Sequence, residues 1–311
     1  MDRIVRQIWQ RVPVARISIS GDIDQTRILD VLNKIENYNA FYCKEFLKKL
    51  IFYLEDKNEE INDELYEKLS ELLSARPLNP TDTEVVSYCV VCKPGQGDQM
   101  IFVREAPNVI SGLGTTGLRT WEASLYLSQY LLNSDQCDLS GQKVLELGCG
   151  TGLIGMALSK YHPTVKKVFM TDGDSQLIDN LPYNLQLNDI PVDSPKLHVS
   201  KLWWGEDGLP DSEINTIVAA DVTYDSSILD DLISVIYESM TENKHSATLV
   251  TTAYIAATVR NENTIADWEK LLNMGTTDHI WEWSIMKPLK WEGIWYPDGT
   301  PEIRLYRLAR V

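Results

Sequence analysis

The sequence predicts a doubly wound α/β domain over residues 105–311, preceded by a helical N-terminal region over residues 1–104. Two patterns point to this fold class. From residue 143 onward, short apolar runs alternate with segments of helical periodicity, which is typical of a mostly parallel sheet with helices on both faces. A glycine-rich turn follows the first of these runs, and open α/β sheets bind their ligands at such strand ends.

The N-terminal region begins with residues of helical periodicity and ends in a pair of strands. Residues 26–75 contain apolar side chains three or four positions apart and neither proline nor glycine, so we expect two or three amphipathic helices. The following stretch, ARPLNPTDTE, carries two prolines and marks a boundary. The runs EVVSYCVVCK and QMIFVRE then predict two strands joined by a glycine-containing turn, a β-hairpin-like link.

The larger domain follows in regular order. A glycine- and threonine-rich loop leads into a helix in SGLGTTGLRTWEASLYLSQYLL. Strand and helix patterns then alternate: KVLEL with LIGMALSKY, KVFMTD with SQLIDNLPYNLQLN, NTIVAAD with SILDDLISVIYESM, and SATLVTTAY with NENTIADWEKLLNMG. No helix separates HIWEWSIM from EIRLYRLAR, so we expect these last two strands to form an antiparallel pair at one edge of the sheet.

Composition and charge limit the classes of function. The chain is 44% hydrophobic and 24% charged, and it has no run of the roughly 18 apolar residues that a membrane span needs. The N-terminus lacks the apolar core of a secretory signal, so we expect a cytoplasmic protein without membrane contact. Residues 111–311 hold 15 basic against 27 acidic residues. This charge disfavours direct nucleic-acid binding and favours basic partners, although solubility alone would also explain it.

The five cysteines indicate neither disulfides nor a metal site. Their number is odd and their positions are scattered, which favours a reducing compartment. Cys89 and Cys92 form one C-x-x-C pair, but zinc would need a second pair or two spaced histidines, so we interpret both as apolar strand positions and predict no metal. Cys149 has no histidine near it in the sequence to activate it, and we interpret it as a small filler in the turn.

The turn itself indicates the class of ligand. Gly148, Gly150 and Gly152 lack a Cβ, so the backbone can approach a ligand closely. A dinucleotide fingerprint would need glycine at position 153, which is leucine, and a P-loop would need a lysine after the glycines. What remains is E-x-G-x-G-x-G starting at Glu146, with Asp172 at the end of the next strand. Asp172 can accept hydrogen bonds from both ribose hydroxyls of a ligand, and Glu146 is placed to orient its amino end.

Four successive motifs carry a family resemblance: VLELGCGTGLIG, VFMTDGDSQLIDNLPYNLQLN, LWWG and IVAADVTYDSSILDDL. They resemble the motifs of class I, seven-β-strand S-adenosylmethionine-dependent protein-lysine methyltransferases, whose D-x-x-Y motif stands here as Asp221 to Tyr224. The segments GLGTTGLRTWEASLYLSQYLL and TVRN and the helical N-terminal extension are similar to the eukaryotic elongation factor 2 lysine methyltransferases. The resemblance implies a Rossmann-like seven-stranded sheet and S-adenosyl-L-methionine as cofactor.

The resemblance also implies roles for particular residues. Those assigned to the cofactor are Trp121, Glu146, Gly148, Gly150, Asp172, Trp204 and Ala220. Asp172 would bind the ribose and Trp204 would flank the adenine, with Trp203 as the alternative. Asp221 and Tyr224 would face the reacting lysine as catalytic residues, and Asn184 matches a motif position. Ordinary packing would also explain Trp121, Trp204 and Asn184, and a strand-end turn would explain the D-x-x-Y pair.

The activity implied is transfer of a methyl group from S-adenosylmethionine to a lysine of elongation factor 2, by an enzyme that we expect to be a monomer. Such a transfer needs positioning and desolvation of the amine but no metal. Two alternatives remain open: a lysine methyltransferase of another protein, and a non-catalytic module that kept cofactor binding. Enzymes that methylate small molecules or nucleic acids on nitrogen use an Asn-Pro-Pro-Tyr type of clamp, and this chain has AADVTY at that place.

Overall fold

A computed structural model describes residues 3–91, 98–107, 109, 115–241, 250–289 and 293–311. The chain forms two compact units: Met1–Val109 with Glu292–Trp295, and Ile110–Trp291 with Tyr296–Val311. The boundary on the N-terminal side thus lies five residues after the predicted one at 104/105, and a short segment near the C-terminus belongs to the first unit.

The described residues of the first unit contain two helices where residues 26–75 predicted them, the two predicted strands, and a further short helix near the N-terminus that was not predicted. The predicted turn between the two strands lies outside the described residues. The elements are α1 (Arg3–Trp9), α2 (Gln25–Asp56), α3 (Asp63–Glu71), β1 (Glu84–Val91) and β2 (Gln99–Glu105), with a 3₁₀ turn at Val14–Arg16. Strands β1 and β2 pair antiparallel. Cys89 is buried in β1, as expected for an apolar strand position, and Cys92 lies outside the described residues.

Helix α2 contains a break at Asn39, and the side chain of this residue links the two halves of the helix. Asn39 has non-helical torsion angles of φ −152° and ψ 75°. Its Oδ1 accepts a hydrogen bond from the amide of Tyr42 at 2.9 Å, so it acts as an N-cap for the second half of the helix. Its Nδ2 donates to Glu84, which also pairs with Arg11 at 3.1 Å. The break therefore places a side-chain amide in a buried ion pair.

The last part of the first unit comes from far along the chain. The amide of Trp295 donates to Oε1 of Gln10 at 2.9 Å, and Nε2 of Gln10 donates to the carbonyl of Trp295 at 2.5 Å. The indole of Trp295 packs against the apolar core that α1, α2 and α3 form. Both ends of the sequence thus contribute to this core.

The second unit contains the predicted strands and helices in the predicted order, together with a strand at Leu197–Lys201 that the apolar runs did not predict. Its elements are α4 (Glu122–Asn133), β3 (Lys143–Leu147), α5 (Leu153–Tyr161), β4 (Lys167–Asp172), α6 (Ser175–Leu187), β5 (Leu197–Lys201), β6 (Thr216–Ala220), α7 (Leu229–Thr241), β7 (Thr252–Thr258), α8 (Glu262–Thr277), β8 (Trp281–Ile285) and β9 (Ile303–Arg310). The strand order in the seven-stranded sheet is β5-β4-β3-β6-β7-β9-β8.

The pairing in this sheet confirms the predicted doubly wound fold. Strands β3 to β7 are parallel, and β8 and β9 add an antiparallel pair at one edge. Helices α7 and α8 cover a buried core that includes Leu145, Leu147 and Trp268, and α5 lies on the other face, against Glu146 and Met170. Strand order reverses between β3 and β6, so a crevice is expected at the carboxyl ends of these strands.

None of the helices in the described part of the chain is long and apolar enough to cross a membrane. Within that same part, no group of three or more His, Cys, Asp or Glu side chains could hold a metal ion.

Candidate active site

A cavity of about 310 Å³ lies at the carboxyl ends of the parallel strands. Its lining residues come from the segments 115–124, 148–151, 172–177, 202–204, 220–224 and 228–231. These segments follow β3, β4, β5 and β6 or precede α4. The cavity therefore occupies the crevice that the reversal of strand order creates, and its size falls within the range of small-ligand sites.

The glycine-rich turn forms the floor of this cavity. Gly148 has a φ of +65°, and a Cβ there would lie 2.8 Å from the side chain of Val222. Gly150 has a φ of +52°, and its amide donates to Asp172 at 3.0 Å. Side chains at either position would be strained, and a Cβ there would meet protein atoms, namely Val222 from position 148 and the backbone of Gly117 from position 150. The amide of Asn184 donates to the carbonyl of Thr151 at 2.9 Å, so this motif residue supports the turn.

Asp172 ends β4 and is held by the backbone. Its Oδ2 accepts from the amide of Gly150 and its Oδ1 accepts from the amide of Asp174, each at 3.0 Å. Burial raises the pKa of this carboxyl, and hydrogen bonds from the backbone amides of Asp174, Gly150 and Gly173 oppose that effect. A carboxylate offers about four acceptor positions, so acceptor capacity remains for a hydroxyl group of a ligand.

Glu146 is not among the residues that line the cavity. Its side chain is 2% exposed and lies beneath α5, where a Cβ on Gly155 would come within 2.7 Å of Oε2. This oxygen has no hydrogen-bond partner among the residues that the structure describes. Burial, and then the charge of Asp172, raise the pKa of Glu146 to about 8. The carboxyl is therefore mostly protonated at neutral pH, and its predicted contact with a cofactor stays a prediction.

Two adjacent tryptophans line the cavity in different ways. Trp203 is 50% exposed, and a Cβ on Gly173 would lie 3.0 Å from its ring. Trp204 is half-buried, lies against Gly148 and packs on the core beneath α7 and α8. Ala220, at the end of β6, also lines the cavity. An aromatic ligand can therefore meet either indole, and the choice between them stays open.

Asp221 and Tyr224 both line the cavity, at the end of β6. Asp221 is 8% exposed and has a φ of +57°. Residues other than glycine rarely adopt this backbone conformation unless the surrounding structure holds them in it. Its Oδ1 accepts from the amide of Thr258 at 3.2 Å and from Nη1 of Arg260 at 2.9 Å, and its Oδ2 accepts from Nη2 of Arg260 at 3.0 Å. Tyr224 is 51% exposed.

Arg260 contacts both Asp221 and Trp121, and the sequence predicted no function for this arginine. Its guanidinium lies over the Trp121 ring, 4.7 Å from the centroid, and Nη2 lies 3.4 Å from Oε2 of Glu122. Arg119 lies over the same ring at 4.3 Å and pairs with Oε1 of Glu122 at 3.0 Å. The only signal in the sequence was the family resemblance of the segments TVRN and GLRTW, which contain these arginines.

Cys149 also contributes to the cavity wall, in the manner predicted. Its thiol is buried, and burial raises the pKa of this thiol well above its ordinary value. A protonated thiol is a poor nucleophile, so Cys149 fills space in the turn.

Comparison with known proteins identifies the family. The family model described as lysine methyltransferase matches residues 110–269. The protein-lysine N-methyltransferase EFM3 of Saccharomyces cerevisiae is 36% identical over 274 residues, which cover 80% of this chain and 78% of the yeast protein. EFM3 of Chaetomium thermophilum is 32% identical, covering 88% and 83% of the two chains. The human protein-lysine N-methyltransferase EEF2KMT is 30% identical, covering 82% and 78%. The chain thus belongs to the lysine methyltransferase family and is a protein-lysine N-methyltransferase that uses S-adenosylmethionine as methyl donor.

Proposed function

We propose that this methyltransferase modifies a lysine of elongation factor 2. The observation that carries the proposal is that two segments similar to the elongation factor 2 methyltransferases come together beside Asp221, which lines the cavity. Arg260, from TVRN, lies over Trp121, from the loop before α4, at 4.7 Å. Both contribute to the surroundings of Asp221, through a bidentate pair and through ring contact with the same guanidinium.

The lining of the cavity fits the cofactor. The backbone of Gly148 and Gly150 lines the cavity without side chains, and the carboxylate of Asp172 keeps acceptor capacity beyond its bonds to backbone amides. We assign Asp172 to the ribose hydroxyls, Gly148 and Gly150 to the methionine part and Trp204 to the adenine, with Ala220 lining the cofactor. Trp121 and Glu146 would complete the site, Trp121 from the cavity wall and Glu146 from beneath the turn. When bound, the cofactor supplies a methyl group carried by a positively charged sulfur.

Asp221 would hold the amine of the substrate lysine rather than remove its proton. Three hydrogen bonds from Thr258 and Arg260 occupy its carboxylate, which leaves about one acceptor position of four. One position suffices to orient an ammonium or amine group. Lysine has an ordinary pKa near about 10.4, and removal of the charged form from water favours its neutral, nucleophilic form. The half-exposed ring of Tyr224 would form part of the cavity wall beside the amine and attract methylated, cationic products.

The charge near Tyr224 favours a basic partner. Four exposed carboxylates, which we call the acidic rim, are Asp225, Asp230, Asp231 and Asp267: Asp231 lines the cavity, Asp225 and Asp230 follow Tyr224 in sequence, and Asp267 accepts a hydrogen bond from Ser226. Residues 111–311 hold 15 basic against 27 acidic residues. Surfaces of a translation factor that contact RNA are basic, and opposite charge accelerates their association with this rim.

The test uses purified protein, labelled S-adenosylmethionine and elongation factor 2 from cells that lack this enzyme. We expect label on one lysine of elongation factor 2, located by mass spectrometry, and none from the Tyr224→Ala variant at equal cofactor occupancy. Rising salt should slow labelling mainly through a higher KM, because the rim acts on association. Label on another protein of the same extract, with none on elongation factor 2, would refute this substrate while leaving the methyltransferase activity intact.

A further inference from the structure

We propose that Arg119 binds the α-carboxylate of the methionine part of S-adenosylmethionine and so selects cofactors with an intact amino-acid end. This inference rests on the identity of the cofactor and does not depend on which protein is methylated.

The first argument is the charge of the cavity. Its described lining residues include four carboxylates, Asp172, Asp174, Asp221 and Asp231, and one cationic side chain, Arg119. The cofactor carries a sulfonium, an ammonium and one carboxylate. The two cationic groups suit an acidic wall, but the carboxylate would be repelled unless a cation faces it. Among the lining residues described, the guanidinium of Arg119 is the group that can provide this pairing.

The second argument is the position of the segment that carries Arg119. A Cβ on Gly150 would lie 3.5 Å from the Cα of Gly117, so residues before Arg119 lie directly against the glycine turn. The hydroxyls of Thr120 and Thr151 are 2.8 Å apart, which fixes the segment to the turn on the other side of Arg119. The arginine is thereby held beside the backbone to which the methionine part is assigned.

The third argument is that the side chain is held in place but keeps free donors. The guanidinium lies 4.3 Å from the centroid of Trp121, and its Nη2 donates to Glu122 at 3.0 Å. A guanidinium has five N–H donors, and this hydrogen bond engages one nitrogen. Since Glu122 also contacts Arg260, its negative charge is shared between two arginines. Arg119 therefore retains both positive charge and donors for a further anion.

A purely structural role would be different in kind. If Arg119 only held Glu122 and covered Trp121, its loss would loosen the wall and weaken every ligand of the cavity alike. If it pairs with the carboxylate, its loss would weaken only ligands that carry that group. The two roles can be separated by changing the ligand instead of the protein.

The experiment is a binding cycle by calorimetry with the full chain and no protein substrate. The ligands are S-adenosylhomocysteine and its decarboxylated analogue, which differ only in the carboxylate. We expect the unchanged protein to bind S-adenosylhomocysteine at least tenfold more tightly, as for a charge-assisted hydrogen bond. Arg119→Ala should weaken S-adenosylhomocysteine at least tenfold and the analogue less than twofold. Arg119→Lys should retain part of the preference.

Two variants serve as controls. Glu122→Gln removes the ion-pair partner of Arg119 but keeps the guanidinium, so the preference for the carboxylate should persist. Asp172→Ala should weaken both ligands by the same factor, because both contain the ribose. Equal weakening of both ligands by Arg119→Ala would overturn the proposal. So would equal affinity of the unchanged protein for both ligands, a result that needs no variant to fold.

Discussion

The two sides of the cavity, which we assign to the cofactor and to the substrate, each have a buried carboxyl group within or beneath them, and the surroundings of the two groups are opposite in character. Beneath the cofactor side, Glu146 is buried without a cation, and its pKa is raised to about 8. On the substrate side, Asp221 is buried against a bidentate arginine and a backbone amide. The cofactor side is built mainly from backbone turns, whereas the substrate side depends on an ion pair between residues 39 apart in sequence. We therefore expect replacement of Glu146 by a neutral side chain to do less harm than replacement of Asp221 or Arg260.

The largest effect that we expect from this contrast is on stability. The raised pKa means that the folded protein binds more protons than the unfolded chain between about pH 4.5 and pH 8. Glu146 therefore lowers the free energy of unfolding as pH rises through that window, by up to about 1.4 kcal/mol per pH unit, and the loss levels off above it. Glu146→Gln should remove this slope and gain on the order of 3 kcal/mol over the unchanged protein between pH 5 and pH 8.

Urea unfolding of the ligand-free protein at several pH values checks this expectation. Glu238→Gln is the matched control, because Glu238 is exposed on α7 and should leave the slope unchanged. An identical pH slope in Glu146→Gln and the unchanged protein would show that Glu146 is ionised in the folded state.

The next effect concerns the ion pair on the substrate side. Arg260→Ala leaves Asp221 without its bidentate partner, so we expect kcat to fall about 100-fold through misplacement of the amine, with cofactor affinity kept within several-fold. Arg304→Ala is the control, because Arg304 pairs with Glu269 and Glu302 outside the cavity. The double variant with Asp221→Ala should lose little more than either single variant. If Arg260→Ala lowered only cofactor affinity and left kcat unchanged, the assignment of Arg260 to the substrate side would be wrong.

A smaller loss is expected on the cofactor side from Asp172→Ala. Removal of the acceptors for two hydroxyls costs about 1.5–3 kcal/mol, or at least tenfold in cofactor affinity. Turnover at saturating cofactor should change less than affinity. Calorimetry with S-adenosylhomocysteine measures the effect, and Asp179→Ala, an exposed acid on α6, provides the baseline. Unchanged affinity would contradict the ribose assignment.

The smallest effect separates the two tryptophans. Trp203→Ala should weaken the cofactor by only several-fold, since half of this side chain already faces solvent. Trp204→Ala should weaken it about tenfold and also lower the melting temperature, because Trp204 packs on the core as well as on the cavity. The reverse order of affinities would assign the adenine contact to Trp203.

What the sequence could predict follows the same division. The fold, the family and the glycine turn were predictable because each depends on local spacing: alternating runs, and glycines placed within a few residues of Glu146. Arg260 was not assigned a function because its partner Asp221 lies 39 residues earlier, and nothing local shows that the two strands end side by side. The contact of Glu146 with a cofactor stays a prediction from its motif position, and the burial of its side chain beneath α5 was not predictable because alternation along β3 does not say which side of the turn a side chain faces. The break at Asn39 is also invisible locally, since its partner Glu84 comes from β1.

The hydrogen bonds between Gln10 and Trp295 have a consequence for synthesis of the chain. A ribosome releases the first helices early, and their apolar core can collapse before the methyltransferase sheet exists. Trp295 is translated 285 residues after Gln10, so the first unit acquires this packing partner after β7 and α8 have been made. Until then the polar groups of Gln10 and the apolar surface reserved for the indole stay open to water and to chaperones. The packing of α1, α2 and α3 is therefore completed long after these helices have been translated.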